Sequence, residues 1–370
     1  MPRTLFFLIA AAIFTLEAAG QTPGSENPPF RGATVLDMLP PHEGNPRNSE
    51  GSFVALKDGR ILFAYSHFTG KGDDNDPASI MGRYSSDGGR TWTKEDTPIV
   101  KNEGGMNVMS VSLLRLADGR IALFYVRKNS IDDCHPYLRY STDEAKSWSE
   151  PILCVHDHGY FVLNNDRVIQ LHSGRLVLPV ALHRMRNGKF GSRGEAMVYL
   201  SDDAGQTWRR SKTALECPTD NRAGFQEPGV VELKDHRLMM FIRTELGSQY
   251  ISYSSDGGET WSAAQPSTIR SPLAPASIKR IPSTGDLLLV WNDTAARPRT
   301  PLTLAISKDD GKTWLRPRNL LASPTGWYCY TAIYFTKGRV LLAFVMGGDG
   351  LPGLSKMDLA YFPVKALYRK

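Results

Sequence analysis

The sequence predicts an all-β chain, a six-bladed β-propeller of four-stranded antiparallel blades, on three observations. An eight-residue motif ending in tryptophan recurs five times. A two-strand hairpin pattern recurs six times, alternating with it. Glycine and proline number 33 and 24 among 370 residues, with ordinary globular proportions otherwise (41% apolar, 22% charged), so turns are frequent and long helices are not expected.

The eight-residue motif begins as Ser85-Ser86-Asp87-Gly88-Gly89-Arg90-Thr91-Trp92. It returns as Ser141 to Trp148, Ser201 to Trp208, Ser254 to Trp261 and Ser307 to Trp314, with starts 56, 60, 53 and 53 residues apart. Self-similarity at such a period marks a repeat architecture. The motif reads as a brace between the third and fourth strands of each unit. Its Asp accepts hydrogen bonds from turn amides, its Gly supplies a left-handed corner, and its Trp packs back between neighbouring sheets.

Apolar alternation around a tight turn appears at 53–65, 111–126, 167–182, 230–243, 277–292 and 332–345. Each reads as two strands joined at an Asp-Gly-Arg-like turn, because Gly and Asp tolerate positive φ. One such sheet cannot bury both faces alone, whereas closure of six into a ring does so and removes most exposed edges. The sixth unit lacks the motif. Residues 357–368 are expected as its third strand, and the segment around Ala33 to Met38 as the outer strand that locks the ring.

The N-terminus carries a short positive start (Met1 to Arg3), an apolar stretch from Leu5 to Leu16 and a small-residue zone from Glu17 to Gln21. The stretch is short of the roughly 20 residues of a membrane span. A signal peptide over residues 1–20 is expected, followed by a single domain over 21–370 and a secreted or periplasmic location. No later segment is long enough to span a bilayer. The four cysteines, Cys134, Cys154, Cys217 and Cys329, are too few for a disulfide scaffold and form no CxxC spacing. Cys134 and Cys154 either pair locally or remain buried thiols. The net charge of +6 is spread without a Lys/Arg run, which argues against a nucleic-acid partner. No HExxH is present, and His156 with His158 reads as a loop pair, so no metal or cofactor is expected. A monomer is expected.

In a ring of sheets, residues at the starts of the inner strands face the central mouth. Counting back ten residues from the turn arginines Arg60, Arg120, Arg175 and Arg237 gives Glu50, Ser110, Asn165 and Glu227. Polar residues at these starts do not suit a packed core, and convergence on a concave mouth marks them as a candidate site.

The Ser-x-Asp-x-Gly-x-x-Trp motif resembles the Asp-box (BNR) repeat of the sialidase, or neuraminidase, superfamily, and the resemblance spans nearly the whole chain after the leader. In that family the boxes lie far from the active site, so all five are taken as structural. The run Gln226-Glu227-Pro228-Gly229-Val230-Val231-Glu232-Leu233, followed by Arg243, resembles the family's Glu, V-V-E-L, Arg pattern. By that resemblance Glu227 activates a tyrosine nucleophile and Arg243 grips a substrate carboxylate. Arg299, with Arg297 as rival, matches another arginine of the family's triad. Tyr328-Cys329-Tyr330-Thr331-Ala332-Ile333 resembles the strand that carries the nucleophile, which implies Tyr330. The family's acid comes from the loop before the first box, here Lys71-Gly72-Asp73-Asp74-Asn75-Asp76, where spacing favours Asp74 or Asp76 without separating them.

The first unit departs from the family. Where Arg-Ile-Pro is usual, this chain has Glu50-Gly51-Ser52, and Arg47 or Arg167 is left to replace the arginine. A carboxylate beside the substrate's own would be repulsive. The resemblance implies retaining cleavage of a terminal acidic sugar through a covalent glycosyl-tyrosine, with a sialoglycoconjugate or another oligosaccharide as partner. Two other readings stay open: Glu50 and Glu227 as an acid–base pair on a neutral or uronic sugar, and a glycan-binding propeller without chemistry.

Overall fold

The computed structural model describes residues 27–295 and 298–369. The expected leader and Arg297 lie outside the described residues. The chain is all-β, and the strands form five sheets of four or more strands each.

Each repeat unit of the sequence folds as an antiparallel meander. In unit one, Arg47–Ala55, Ile61–Phe68, Ala78–Ser85 and Thr97–Val100 pair in sequence order. Unit four repeats this with Gln226–Glu232, Leu238–Arg243, Ser248–Ser254 and Gln265–Arg270. Unit five does so with Ser277–Arg280, Leu287–Trp291, Leu302–Ser307 and Leu315–Leu321. Units two and three lie within one nine-stranded sheet, because the short strand Tyr160–Val162 pairs with both Cys134–Ser141 and Leu176–Arg186. In the last sheet the N-terminal strand Thr34–Leu39 pairs antiparallel with Leu351–Pro363, outside Arg339–Gly348 and Trp327–Thr336. The N-terminal segment thus supplies the outer strand that the sequence suggested. The third strand of this sheet is Leu351–Pro363 rather than 357–368, and Val364–Tyr368 forms a 3-10 turn instead. Pro363, with no N–H to donate, closes the ladder there.

The core is divided among the seams between units. Val54, Leu62 and Ile80 of unit one pack on Val111 and Leu123 of unit two. Equivalent clusters join units two and three around Phe124 and Leu178, three and four around Val198 and Met240, and four and five around Phe241 and Leu289. Two more join five and six around Leu304 and Leu342, and six back to one around Leu359 and Phe63. No unit has a core of its own; each face is buried only by its neighbour.

The five boxes behave alike. Asp87 Oδ1 accepts from the amides of Arg90 and Thr91, its Oδ2 from the Thr91 hydroxyl, and Ser85 Oγ from Gly89 N. The tryptophans sit in or against the cluster between their own unit and the one before it. The second box has Ala145 at the glycine position, and it still takes φ +64°.

Candidate active site

At the start of an inner strand, the four units one, two, four and six share one local device. The ladder slips by an extra residue at Ser49/Ser52, Met109/Ser112, Gln226/Gly229 and Cys329/Ala332. The first inserted residue in each case has positive φ: Glu50 (56°), Ser110 (62°), Glu227 (42°) and Tyr330 (53°). Bulges of this kind re-aim side chains at the rim of a sheet, and left-handed φ at non-glycine residues concentrates at functional sites. All four line one cavity of about 440 Å³.

The Tyr330 hydroxyl donates to Glu227 Oε1 at 3.1 Å, and Arg243 Nη1 donates to Glu227 Oε2 at 2.6 Å. All three are largely buried. Burial pushes the Glu227 carboxyl up, but the ion pair and hydrogen bond with Arg243, then Arg299 and the Tyr330 hydroxyl, pull it below the usual carboxylate range. Burial and the Glu227 charge push the Tyr330 phenol well above its ordinary value, against Arg243 and Arg299. Tyr330 is therefore a neutral phenol hydrogen-bonded to an ionised acceptor. Arg299 stacks over Trp327 and Tyr330, at 5.1 and 5.8 Å, and its buried Nη1 has no hydrogen-bond acceptor. That nitrogen is left to meet an anion.

Across the cavity, Arg47 joins two acids. Its Nη1 donates to Asp74 Oδ1 at 2.5 Å and its Nη2 stands 3.6 Å from Glu50 Oε2. Burial raises Glu50 to about 7, with Arg47 opposing and Asp74 and Glu227 reinforcing. Burial also raises Asp74, but the Arg47 charge and hydrogen bond, then Lys128 and Arg243, hold it below the usual range. The loop bearing Asp74 is tied to unit two, where Lys128 Nζ and Asn107 Nδ2 donate to its carbonyl.

A family model described as a BNR repeat-like domain matches residues 59–342. The chain belongs to the BNR repeat-like family. This BNR repeat-like chain is 26% identical over 362 residues to a sialidase of Micromonospora viridifaciens, covering 84% of this chain and 53% of the relative. It is 26% identical over 320 residues to a sialidase of Bacteroides fragilis, covering 76% and 56%. The chain spans about half the length of these curated relatives. A solved protein of unknown function from Dyadobacter fermentans superposes with a TM-score of 0.71 at 20% identity, covering 90% of this chain and 99% of that one. That likeness is one of fold.

The other candidate residues of this BNR repeat-like chain sort by position. Asp76 faces away from the cavity; its carboxylate accepts the amides of Lys71 and Asp73 and shapes the loop. Asn165 does not take the fourth place at the mouth. Asp166 has the positive φ of unit three (56°), because the distance to the turn is eight residues in units three and six (to Gly174 and Gly338), not nine as to Gly59 and Gly119. Asn165 is buried one residue earlier, donating to the carbonyls of Gly51 and Tyr330. Asp166 binds Lys279 Nζ at 2.9 Å and the Ile333 amide at 2.9 Å, which commits it to structure. Arg167 does not replace the missing arginine either. It lies against Phe241 and donates to the Ala276 carbonyl, in a second cavity of about 450 Å³ lined by residues at the hairpin-turn end. Burial lowers it to about 10. Cys134 and Cys154 are free, buried thiols, as are Cys217 and Cys329.

Lys128, Tyr160, His183, Gln226 and Phe190 also line the cavity. The sequence singled out none of them. His183 and Phe190 arrive on Leu176–Arg186 and Lys189–Ser201, strands of 11 and 13 residues that run past those of units one, two, four and five. That length was the one visible signal. Among the described residues no His/Cys/Asp/Glu group is arranged to hold a metal ion, and no helix is long and apolar enough to cross a membrane.

Proposed function

We propose that this protein is a secreted glycoside hydrolase that removes a terminal acidic sugar, with retention, at the mouth of a six-bladed propeller. The observation that carries the reading is the Tyr330 hydroxyl on Glu227, with Arg243 clamping the other carboxylate oxygen. Attack by Tyr330 on the anomeric carbon passes the phenol proton to Glu227. A neutral nucleophile suits a sugar whose anomeric carbon carries a carboxylate, because an anionic one would be repelled. Arg243 and Arg299 face the substrate's carboxylate with donors left over, Nε and Nη1 respectively. A carboxyl from the Glu50, Arg47, Asp74 group protonates the departing oxygen. The six seams that close on themselves support the propeller, and the sialidase relatives support the substrate class.

The test is turnover of 4-methylumbelliferyl N-acetylneuraminic acid by the purified protein. The expected result is activity that falls by at least about a thousandfold in Tyr330→Phe and in Glu227→Ala. Binding of sialic acid without turnover would replace the enzyme by a glycan-binding module. A second reading is favoured by one observation: Glu50 occupies the cavity where the family's arginine is expected. On that reading the substrate is a neutral or uronic sugar, and a panel of aryl glycosides would show turnover where the sialoside does not.

A further inference from the structure

Glu50 is the feature of the cavity that the family pattern leaves unexplained. It is 5% exposed, and its Oε2 has no hydrogen-bond donor. Arg47 is 4% exposed and divides unequally between its two acids, in direct contact with Asp74 at 2.5 Å but 3.6 Å from Glu50. Asp74 has a side chain 68% exposed to solvent.

A group that protonates a leaving oxygen must first hold a proton. If Asp74 held one, its ion pair with Arg47 would be lost, and a buried guanidinium would face only the more distant Glu50. The guanidinium is buried although Asp74 is not, so the 2.5 Å charge-assisted hydrogen bond is what favours the ionised form of Asp74. If Glu50 holds the proton, Arg47 loses only its longer, 3.6 Å ion pair and keeps the 2.5 Å contact with Asp74. The carboxyl whose Oε2 has no hydrogen-bond donor is then the one that becomes neutral.

We propose that Glu50, and not Asp74, is the acid that protonates the departing glycosidic oxygen, with Arg47 and Asp74 as a neutral pair that positions it. The proposal rests on the hydrolase reading above and names its missing proton donor. In the first half-reaction the bond from the anomeric carbon to the aglycone oxygen breaks. That oxygen keeps the electron pair and takes the Glu50 proton, while the Tyr330 oxygen bonds to carbon and its proton passes to Glu227. In the second, water adds to the anomeric carbon and gives its proton to Glu50, and the Tyr330 oxygen leaves and recovers its proton from Glu227. The sum is glycoside plus water giving sugar plus alcohol. A protonated Glu50 also carries no charge, so it does not repel the carboxylate of an acidic sugar. The position that looked incompatible with such a substrate becomes compatible with it.

The charged and titratable groups facing Glu50 are Arg47 on its own strand, Asp74 on the loop, Lys128 and Tyr160 from the neighbouring strands, and Glu227 and Tyr330 across the mouth. Burial, reinforced by Asp74 and Glu227 and opposed by Arg47 and Lys128, leaves Glu50 titrating at about 7. Its proton is therefore present through the mildly acidic range and lost as pH rises past neutrality.

The experiment compares wild type, Glu50→Gln and Asp74→Asn on two sialosides, one with a methylumbelliferyl leaving group and one with lactose. General-acid help matters most for the poorer leaving group. Glu50→Gln is expected to lose about 10²–10⁴ in kcat/KM on sialyllactose but less than about tenfold on the aryl sialoside, and to lose the alkaline limb of the pH profile near neutrality. Compared below its limb, Asp74→Asn is expected to fall by a similar factor on both substrates, and the limb persists but moves to lower pH because Asp74 no longer reinforces Glu50. Equal losses of Glu50→Gln on both, or a leaving-group-dependent loss in Asp74→Asn, would overturn the assignment. A readout without turnover accompanies it: the infrared carbonyl band of a protonated carboxyl, present at pH 6, titrating near neutrality and missing in Glu50→Gln. Absence of that band from wild type would also overturn it. Should Tyr330→Phe be inactive while Glu50→Gln behaves as wild type, the hydrolase reading stands and this inference alone fails. Wild type inert on both sialosides would remove the two together.

Discussion

At Glu227 one carboxylate serves two partners, the Tyr330 hydroxyl on one oxygen and Arg243 on the other. The ion pair has side chains only 10% and 12% exposed, so removing the arginine strands a buried charge. Arg243→Met is expected to cost about 3 kcal/mol of stability near pH 7, measured as a shift in the urea midpoint. The sign with pH follows from the depressed Glu227 carboxyl. Its stabilisation is fully present above the unfolded value of about 4.3 and is lost as pH falls through the lower folded value. The gap between wild type and Arg243→Met should accordingly narrow below about pH 4. A gap that stays constant from pH 7 to pH 3 would mean that Arg243 stabilises by packing rather than by charge.

Among the elements, the bulged inner strand and the Asp box make different demands. Gly51 follows Glu50 in the first bulge, and a Cβ there would stand 2.3 Å from the Phe63 ring and 2.7 Å from the Ala64 carbonyl. Gly51→Ala is expected to cost about 1–3 kcal/mol by overpacking, seen as a Tm lower by a few degrees. Its turnover should fall further than stability accounts for, because the bulge that aims Glu50 is displaced. In the boxes the demand is electrostatic. Asp87, Asp143, Asp203, Asp256 and Asp309 are each held down to about 2 by turn amides and hydroxyls, against the burial that opposes them. Depressed carboxyls stabilise above their unfolded value of about 3.9 and lose that contribution as pH falls toward the folded one. Urea midpoints should therefore drop between about pH 4 and pH 2, less steeply in Asp256→Asn. Ala145 supplies the converse test. In left-handed φ with a side chain it carries strain of about 1–2 kcal/mol, so Ala145→Gly should raise Tm unless the lost contact in its apolar seam outweighs the relief.

Across the molecule as a whole, the units share their cores, and the closing seam depends on residues far apart in sequence. Thr34–Leu39 covers the edge of Leu351–Pro363, and Met38 and Leu39 join the cluster that unites units six and one. Deleting the chain before Pro40 should expose that edge and an apolar face together. The expected result is a lower Tm and concentration-dependent association by light scattering, since uncovered edges pair with other chains. A monomeric truncation of unchanged Tm would show that the seam closes without the strand.

The repeat, its strands and its turns were legible from residue order alone, because each box and hairpin is a local structure whose residue types dictate it. Counting back from a recognisable turn picked out Glu50, Ser110 and Glu227, which share the mouth, whereas Tyr330, Arg243, Arg299 and the choice between Asp74 and Asp76 were expected only from the family resemblance. The limit of that count shows at Asn165, where one residue fewer before the turn moves the positive φ to Asp166, whose carboxylate holds Lys279 and the Ile333 amide and does not line the mouth. Which side chains share the mouth is an outcome of the folded chain. Folding parts Asp74 from Asp76, sends Arg167 to the hairpin-turn end of the inner strands, and brings in Lys128, His183 and Phe190. The partition of charge arises there as well. Burial and the position of Arg47 between two acids come from strands of different units, and no local run of residues encodes such a distance.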